Sequence, residues 1–321
     1  MTDASPARRA NVVGLGLIGG SVAKALRARG WVVHGADTDP ARVDRAIRTG
    51  VVDGGGIDRT SEITFVAVPV RGVAAAVQRS LQETAGLVTD VGSVKGPIVA
   101  EVDDARFVGG HPMAGSEQEG LDGADADMFE GAVWVLTPTA STSDAAFAAV
   151  AGVVASLGAE VVALPPDRHD ALVAVVSHVP HLTAATLMTL ADQRAEEHAA
   201  LLRLAAGGFR DMTRIASGHP AIWPDICAQN RDAIVQSLDG LIGGLRSVRD
   251  VVAADDREGL LDLLQRARAA RANLPSRVAA RPADLSEVRV PVPDRPGAAA
   301  EVFTLAAELG VNVYDFEVFH S

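Results

Sequence analysis

Four short clusters in this sequence bring together side chains that can move protons or hold anions. Asp90-Val91-Gly92-Ser93-Val94-Lys95-Gly96 sets a hydroxyl between an acid and a lysine. Gly109-Gly110-His111-Pro112-Met113-Ala114-Gly115-Ser116-Glu117 presents a histidine in a glycine-rich setting. Ser177-His178-Val179-Pro180-His181 holds two histidines at i, i+3, a spacing that puts both on one face of a helix. Gly207-Gly208-Phe209-Arg210-Asp211-Met212-Thr213-Arg214-Ile215-Ala216, followed by Trp223, supplies guanidinium forks that can take a carboxylate in bidentate fashion. Each cluster also has a plainer reading. Ser93 could cap a helix, the histidines could be hydrogen-bonded core residues, and Asp211 with Arg214 could be a surface ion pair. Pro180 weighs against the plain reading of its cluster, because proline inside a helical pattern costs about 3 kcal/mol unless the helix adapts. A local rule broken beside two histidines points to a site. No H-E-x-x-H run or cysteine cluster accompanies them, so no metal is expected.

A fifth stretch has a more specific meaning. Gly14-Leu15-Gly16-Leu17-Ile18-Gly19-Gly20 reads G-x-G-x-x-G, after a predicted strand and at the start of a predicted helix. In such a turn the first glycine allows the tight bend, the second lets backbone approach a pyrophosphate, and the third lets helix pack on strand. The helix N-terminus then offers unpaired N–H groups and a positive dipole end to the phosphates. Asp37 follows Gly19 by 18 residues, close to the spacing of about 20 expected of a carboxylate that binds the adenosine ribose. Its charge would repel a 2′-phosphate, so NAD is favoured over NADP, although Arg42 lies nearby. Asp39-Pro40 fits a helix cap followed by the first helical residue.

The elements that must position these groups follow from periodicity. Strands are predicted at Asn11–Leu15, Trp31–Ala36, Thr64–Val68, Gly86–Asp90, Phe107–Gly109, Val133–Thr137 and Glu160–Ala163. Helical patterns at Gly19–Arg29, Arg71–Glu83 and Asp144–Leu157 alternate with them, which argues for a mainly parallel sheet covered on both faces. The Ser93 and His111 clusters then fall at the carboxyl edge of the sheet, where such folds bind ligands. After Pro165-Pro166 the pattern is helical to about Asn273. His169–Leu190 is apolar around most of its circumference and should be buried, in part against another subunit. Asp250–Arg271 reads as a solvated, arginine-rich helix. Beyond a linker at Ala279–Ser286 come a strand at Glu287–Val292, a turn at Asp294–Gly297, a helix at Ala298–Leu309 and a strand at Val311–Phe319.

Composition narrows the partners. The chain has 321 residues, 48% hydrophobic and 22% charged, as expected of a globular protein of two or three domains. Its 41 acidic and 29 basic residues give a net charge of −12, which disfavours nucleic acid and anionic membrane surfaces. A single cysteine, Cys227, excludes a disulfide framework within the chain. The first residues lack the apolar core of a signal peptide, and no apolar run approaches the roughly 18 residues of a membrane span. A cytoplasmic protein is expected.

Taken together and in this order, the motifs resemble the prephenate/arogenate dehydrogenase family of tyrosine biosynthesis. The matching stretches are Val13–Ser21, Asp90–Gly96, His111–Glu117, Ser177–His181 and Gly208–Ala216 with Trp223. The resemblance implies a Rossmann-type α/β domain over 1–165, an all-α substrate and dimerisation domain over 166–278, and a homodimer. It implies oxidative decarboxylation: hydride leaves ring C4 for NAD, the C4 hydroxyl loses its proton, and CO2 departs from C1. In that reading His111 binds the hydroxyl as its hydrogen-bond acceptor, and Ser93 hydrogen-bonds the same hydroxyl and helps orient the ring. Arg214 binds a substrate carboxylate, with Ser116, Glu117 and Asp211 around it, and His178, His181 and Trp223 line the pocket. Gly14, Leu15, Gly16, Leu17, Ile18, Gly19, Asp37, Val68 and Ser93 are the expected cofactor contacts. Prephenate and arogenate, a keto acid and an amino acid, are not separated by any residue. Val290-Pro291-Val292-Pro293-Asp294-Arg295-Pro296-Gly297 resembles the start of an ACT domain, a small ligand-sensing module, over 286–321. Only about half of such a module is present, through truncation or completion by another chain, so feedback by an amino acid such as tyrosine is open. A β-hydroxyacid-type dehydrogenase and a cofactor-binding regulator are the rival readings.

Overall fold

The computed structural model describes residues 7–116, 118, 120–195 and 201–273, with Val290, Leu305 and Leu309. The chain forms two compact units, 1–264 and 265–321. The ACT-like βαβ pattern expected over 286–321 lies outside the described residues, apart from those three isolated positions.

The first unit opens with an eight-stranded sheet: β1 (Arg9–Val13), β2 (Val32–Ala36), β3 (Gly54–Gly55), β4 (Ile63–Val66), β5 (Leu87–Asp90), β6 (Phe107–Pro112), β7 (Val133–Thr137) and β8 (Glu160–Ala163). Their order is β3-β2-β1-β4-β5-β6-β7-β8. All neighbours run parallel except β6 and β7, which are antiparallel, with His111 opposite Val135. Every residue of β4 is buried, as expected of a central parallel strand covered on both faces. The order reverses between β1 and β4, the topological switch point where such sheets bind ligands. The cover comes from α1 (Leu17–Ala28), α2 (Pro40–Arg48), α3 (Val73–Glu83), α4 (Gly96–Glu101) and α5 (Asp144–Ser156). One core joins Leu15, Leu26, Phe65, Trp134 and Leu157, and a second joins Val66, Val77, Val88, Ile98 and Phe107.

Two expectations need correction here. The strand expected at Phe107–Gly109 continues to Pro112, so His111 sits within β6 and not in the loop after it. The extension rests on the added antiparallel partner, which apolar patterning in β6 alone does not reveal. The helix expected over Asp250–Arg271 is two helices, α10 (Arg231–Ala253) and α11 (Arg257–Arg271). Asp255 breaks the run at φ 52°, and the Asp256 side chain accepts from Gly259 N at 2.9 Å to begin α11.

The helical part begins with α6 (Pro166–Val173), a π-helical turn at Ala174–His178, and α7 (Val179–Ala195). The π turn answers the proline. Pro180 has no N–H to donate and its ring crowds the preceding turn, and Val179 N bonds to Ala174 O, one residue further back than in an α-helix. Such single π turns often mark functional sites. The composite helix 166–194 carries a window of mean hydropathy 1.5, long and apolar enough by composition to cross a membrane, contrary to the run-length expectation. Its His169, Asp170 and His178 are nevertheless buried and hydrogen-bonded within the site. Its Leu172, Val175, Val176 and Leu190 are exposed, so the burial expected of the apolar segment is partial within one chain. Among the described residues the remaining α-helices are α8 (Gly207–Thr213), α9 (Trp223–Gln229), α10 and α11.

Candidate active site

The turn between β1 and α1 has the form its glycines require. Gly14 has φ 96°, and a Cβ there would stand 2.4 Å from the Ala67 carbonyl oxygen. A Cβ at Gly19 would stand 1.9 Å from the Gly14 carbonyl oxygen, whereas one at Gly16 would meet nothing within 4 Å. The open side at Gly16 faces away from protein, as backbone approach to a pyrophosphate demands. No side chain caps α1 at Gly16, so the first N–H groups of that helix are available for phosphate.

Asp37 directly follows β2, beside this turn. Its carboxylate accepts from Leu15 N at 2.8 Å and Asp39 N at 3.0 Å, and Arg42 Nη1 approaches it at 3.1 Å. Burial alone would raise its pKa, but the backbone bonds and Arg42 together hold it below the ordinary value. Asp39 caps α2 through Ala41 N at 3.0 Å, with Pro40 as the first helical residue. Val68 lies partly buried just beyond β4, next to Ala67, which packs on Gly14. These residues fit a dinucleotide.

The carboxyl edge of the sheet then meets the helices through one continuous polar network. Lys95 and Asp90 are fully buried and ion-paired. Asp90 also accepts from Gly92 N at 2.8 Å and Gly110 N at 3.1 Å, and Lys95 Nζ donates to Gly110 O at 2.7 Å. The pair thereby pins the loop carrying Ser93 against the end of β6, one residue before His111. Gly110 cannot be larger there, since its Cβ would stand 2.6 Å from the Asp90 carbonyl oxygen.

His111 Nδ1 lies 2.9 Å from His169 Nε2, and His169 Nδ1 lies 2.8 Å from Asp170 Oδ1. Asp170 also accepts from Lys95 N at 2.8 Å and Gly96 N at 2.7 Å. Asn230 Nδ2 donates to Asp170 O at 2.9 Å and lies 3.2 Å from His178 Nδ1. Trp223 brackets the second histidine pair: His181 stacks on it at 3.7 Å between ring centroids, and His178 meets it edge-on at 6.1 Å. Burial, with the Lys95 ammonium and the neighbouring imidazoles disfavouring a further positive charge, holds His111 well below its ordinary pKa. Burial takes His178 to about 4 and lowers His181 as well.

The structure therefore brings together His111, His178, His181 and Trp223, and ties the loop of Ser93 to them. Arg214 begins a tight turn, Arg214–Ser217, that packs on α7. Gly218 follows it, where a Cβ would lie 3.5 Å from His181 Cε1. Arg214 and Asp211 are exposed, as is Ser116, whose hydroxyl accepts from Gln118 N at 3.2 Å. Glu117 lies outside the described residues. Sequence reasoning missed His169, Asp170 and Asn230. His169-Asp170 just after Pro165-Pro166 was a readable signal, whereas Asn230 had none.

Comparison with known proteins agrees with this geometry. Residues 22–163 match the prephenate dehydrogenase nucleotide-binding domain, and 165–266 match the prephenate dehydrogenase dimerization domain. The chain belongs to the prephenate dehydrogenase family. A Bacillus subtilis prephenate dehydrogenase is 32% identical over 97% of this chain and 88% of its own length. The prephenate dehydrogenase of Aquifex aeolicus, solved with hydroxyphenyl propionate and NAD+, superposes with a TM-score of 0.79 at 29% identity, over 85% of this chain and all (100%) of that one. A Synechocystis arogenate dehydrogenase does so with a TM-score of 0.71 at 31% identity, over 82% and 99%. Like its family, the chain is an NAD-dependent oxidoreductase, and the Gly14–Gly19 turn with Asp37 is the place in it that fits NAD.

Proposed function

We propose that this chain oxidatively decarboxylates prephenate to 4-hydroxyphenylpyruvate, a step of tyrosine biosynthesis. The observation that carries the reading is His111: it sits in β6 beside the Ser93 loop, one residue before the strand ends, uses Nδ1 within the protein, and keeps Nε2 for a ligand. NAD, when bound, takes up the hydride from ring C4. His111 Nε2 accepts the C4 hydroxyl proton, which its lowered pKa permits because the imidazole is neutral near physiological pH. Ser93 holds the same hydroxyl and orients the ring. Arg214 receives a substrate carboxylate, with Asp211, Glu117 and Ser116 around it. His178, His181 and Trp223 wall the pocket. Aromatisation with loss of CO2 drives the reaction, so the side chains chiefly orient and place charge.

The matched family regions support a division near residue 165 and a homodimer built on the helical part. A single cysteine, Cys227, suits a cytoplasmic setting. An amino-acid effector such as tyrosine rests on the Val290–Gly297 signature alone. The test is NADH formation from NAD+ with prephenate and, in parallel, with arogenate. Turnover with prephenate is expected, turnover with arogenate alone would reassign the substrate, and turnover with neither would end the reading. His111→Asn should lower kcat by about 10²–10⁴-fold with NAD+ affinity kept.

A further inference from the structure

We infer that His169 and Asp170 form a relay that fixes His111 as its Nδ1–H tautomer, so that Nε2 is the basic nitrogen facing the substrate. The inference rests on the reading of His111 as the proton acceptor and adds two positioning residues to it.

The argument is a chain of hydrogen-bond polarities. Asp170 Oδ1 faces Lys95 N at 2.8 Å and Oδ2 faces Gly96 N at 2.7 Å. Backbone N–H groups only donate, so both carboxylate oxygens act as acceptors. His169 Nδ1, 2.8 Å from the same Oδ1, must therefore carry its proton. A neutral imidazole has one N–H, which leaves His169 Nε2 as a lone pair. That lone pair faces His111 Nδ1 at 2.9 Å, so His111 Nδ1 is the donor and its Nε2 is bare. His169 is fully buried, so no bulk water competes for either of its nitrogens.

In the reaction the hydroxyl O–H bond breaks and its proton bonds to His111 Nε2. The resulting imidazolium keeps its Nδ1–H on His169, and Asp170 stabilises that charge through His169 without taking a proton. The main chain of Asp170 does a second task. Its carbonyl and His178 Nδ1 share the two N–H bonds of Asn230, so neutral His178 carries its proton on Nε2, as a donor. One residue thus sets two histidines to opposite polarity, His111 accepting and His178 donating.

The deciding measurement is long-range proton–nitrogen NMR on the full-length protein with labelled histidine, near neutral pH, with His111→Asn used to assign the His111 signal. An Nδ1–H tautomer at both His111 and His169 is expected, and an Nε2–H tautomer at His111 in the wild type overturns the relay. The second arm is His169→Phe, which keeps a ring but removes both nitrogens. It should lower kcat by about 10²–10⁴-fold with substrate KM and NAD+ affinity little changed, and His111 should become a tautomer mixture. An unchanged kcat overturns the relay, and if this variant does not fold the wild-type spectrum still decides. Full activity of His111→Asn would instead remove the proton-acceptor reading and the relay's use with it, so the two failures are distinct.

Discussion

At the scale of single residues, His111, His178 and His181 lean toward the neutral form, and that has a sign that can be measured. His111 is held well below its ordinary pKa, His178 near 4, and His181 is lowered by burial. Between the folded and unfolded values the unfolded chain binds more protons, so stability rises with pH there and is lost as pH falls. The stabilisation should be complete above about 6.5, the ordinary histidine value, and should decay as pH drops toward 4, by roughly 3 kcal/mol for His178 alone. Urea unfolding at a series of pH values checks this, and a flat midpoint across that window would contradict it. The acid limb of kcat/KM for prephenate should likewise lie below about 6.5.

A second residue-scale prediction concerns Asp37. Its carboxylate holds Arg42 at 3.1 Å, and that guanidinium is a charge beside the site that could greet a 2′-phosphate. Replacing Asp37 with Ser removes the repulsion and releases Arg42. The ratio of kcat/KM with NADP+ to that with NAD+ should rise by about tenfold or more, equivalent to about 1.4 kcal/mol. No rise would mean that Arg42 does not reach the ribose. The same scale shows what a sequence discloses. His111, His178, His181, Ser93 and Asp37 stood in short motifs, and their neighbours announced them. His169, Asp170 and Asn230 matter through contacts across 52 to 75 positions of chain, and a spacing rule has no access to those.

At the scale of elements, local propensity located most strands and helices, because each buries a face with its own period. Two features escaped it for a physical reason. The extension of β6 to His111 depends on β7 pairing against it in the antiparallel sense, a tertiary event. The π turn at Ala174–His178 was visible only as a proline in the wrong place. That turn places His178 inward while Val175 and Val176 stay exposed. Pro180→Ala restores the missing donor and invites a regular α-helix, relieving a cost of up to about 3 kcal/mol. The variant should be at least as stable as the wild type to urea yet show a lower kcat/KM, because its histidines change bearing on Trp223. A less stable protein with undiminished kcat/KM would refute the link between the bulge and the site.

At the scale of the whole molecule, the first unit contains more apolar surface than it covers. Along α10, Val235, Leu238, Ile242, Leu245 and Val252 repeat at heptad spacing, and all but the partly buried Leu238 are exposed. Only Ile234 of that helix is buried, although it runs for 23 residues. A heptad stripe packs against a second helix, and Leu172, Val175, Val176 and Leu190 of the π-bulged helix stay exposed as well. A net charge of −12 keeps separate copies soluble but opposes their association, so a dimer must be held by this apolar area and should tighten with added salt. Light scattering should give twice the chain mass, and Leu245→Glu should shift the protein toward monomer by placing a carboxylate in the seam. Because Trp223 begins α9 and Asn230 joins α9 to α10, the monomer should lose activity along with its partner. A variant that remains a dimer, or a wild type that is monomeric at micromolar concentration, would show that this stripe serves another end.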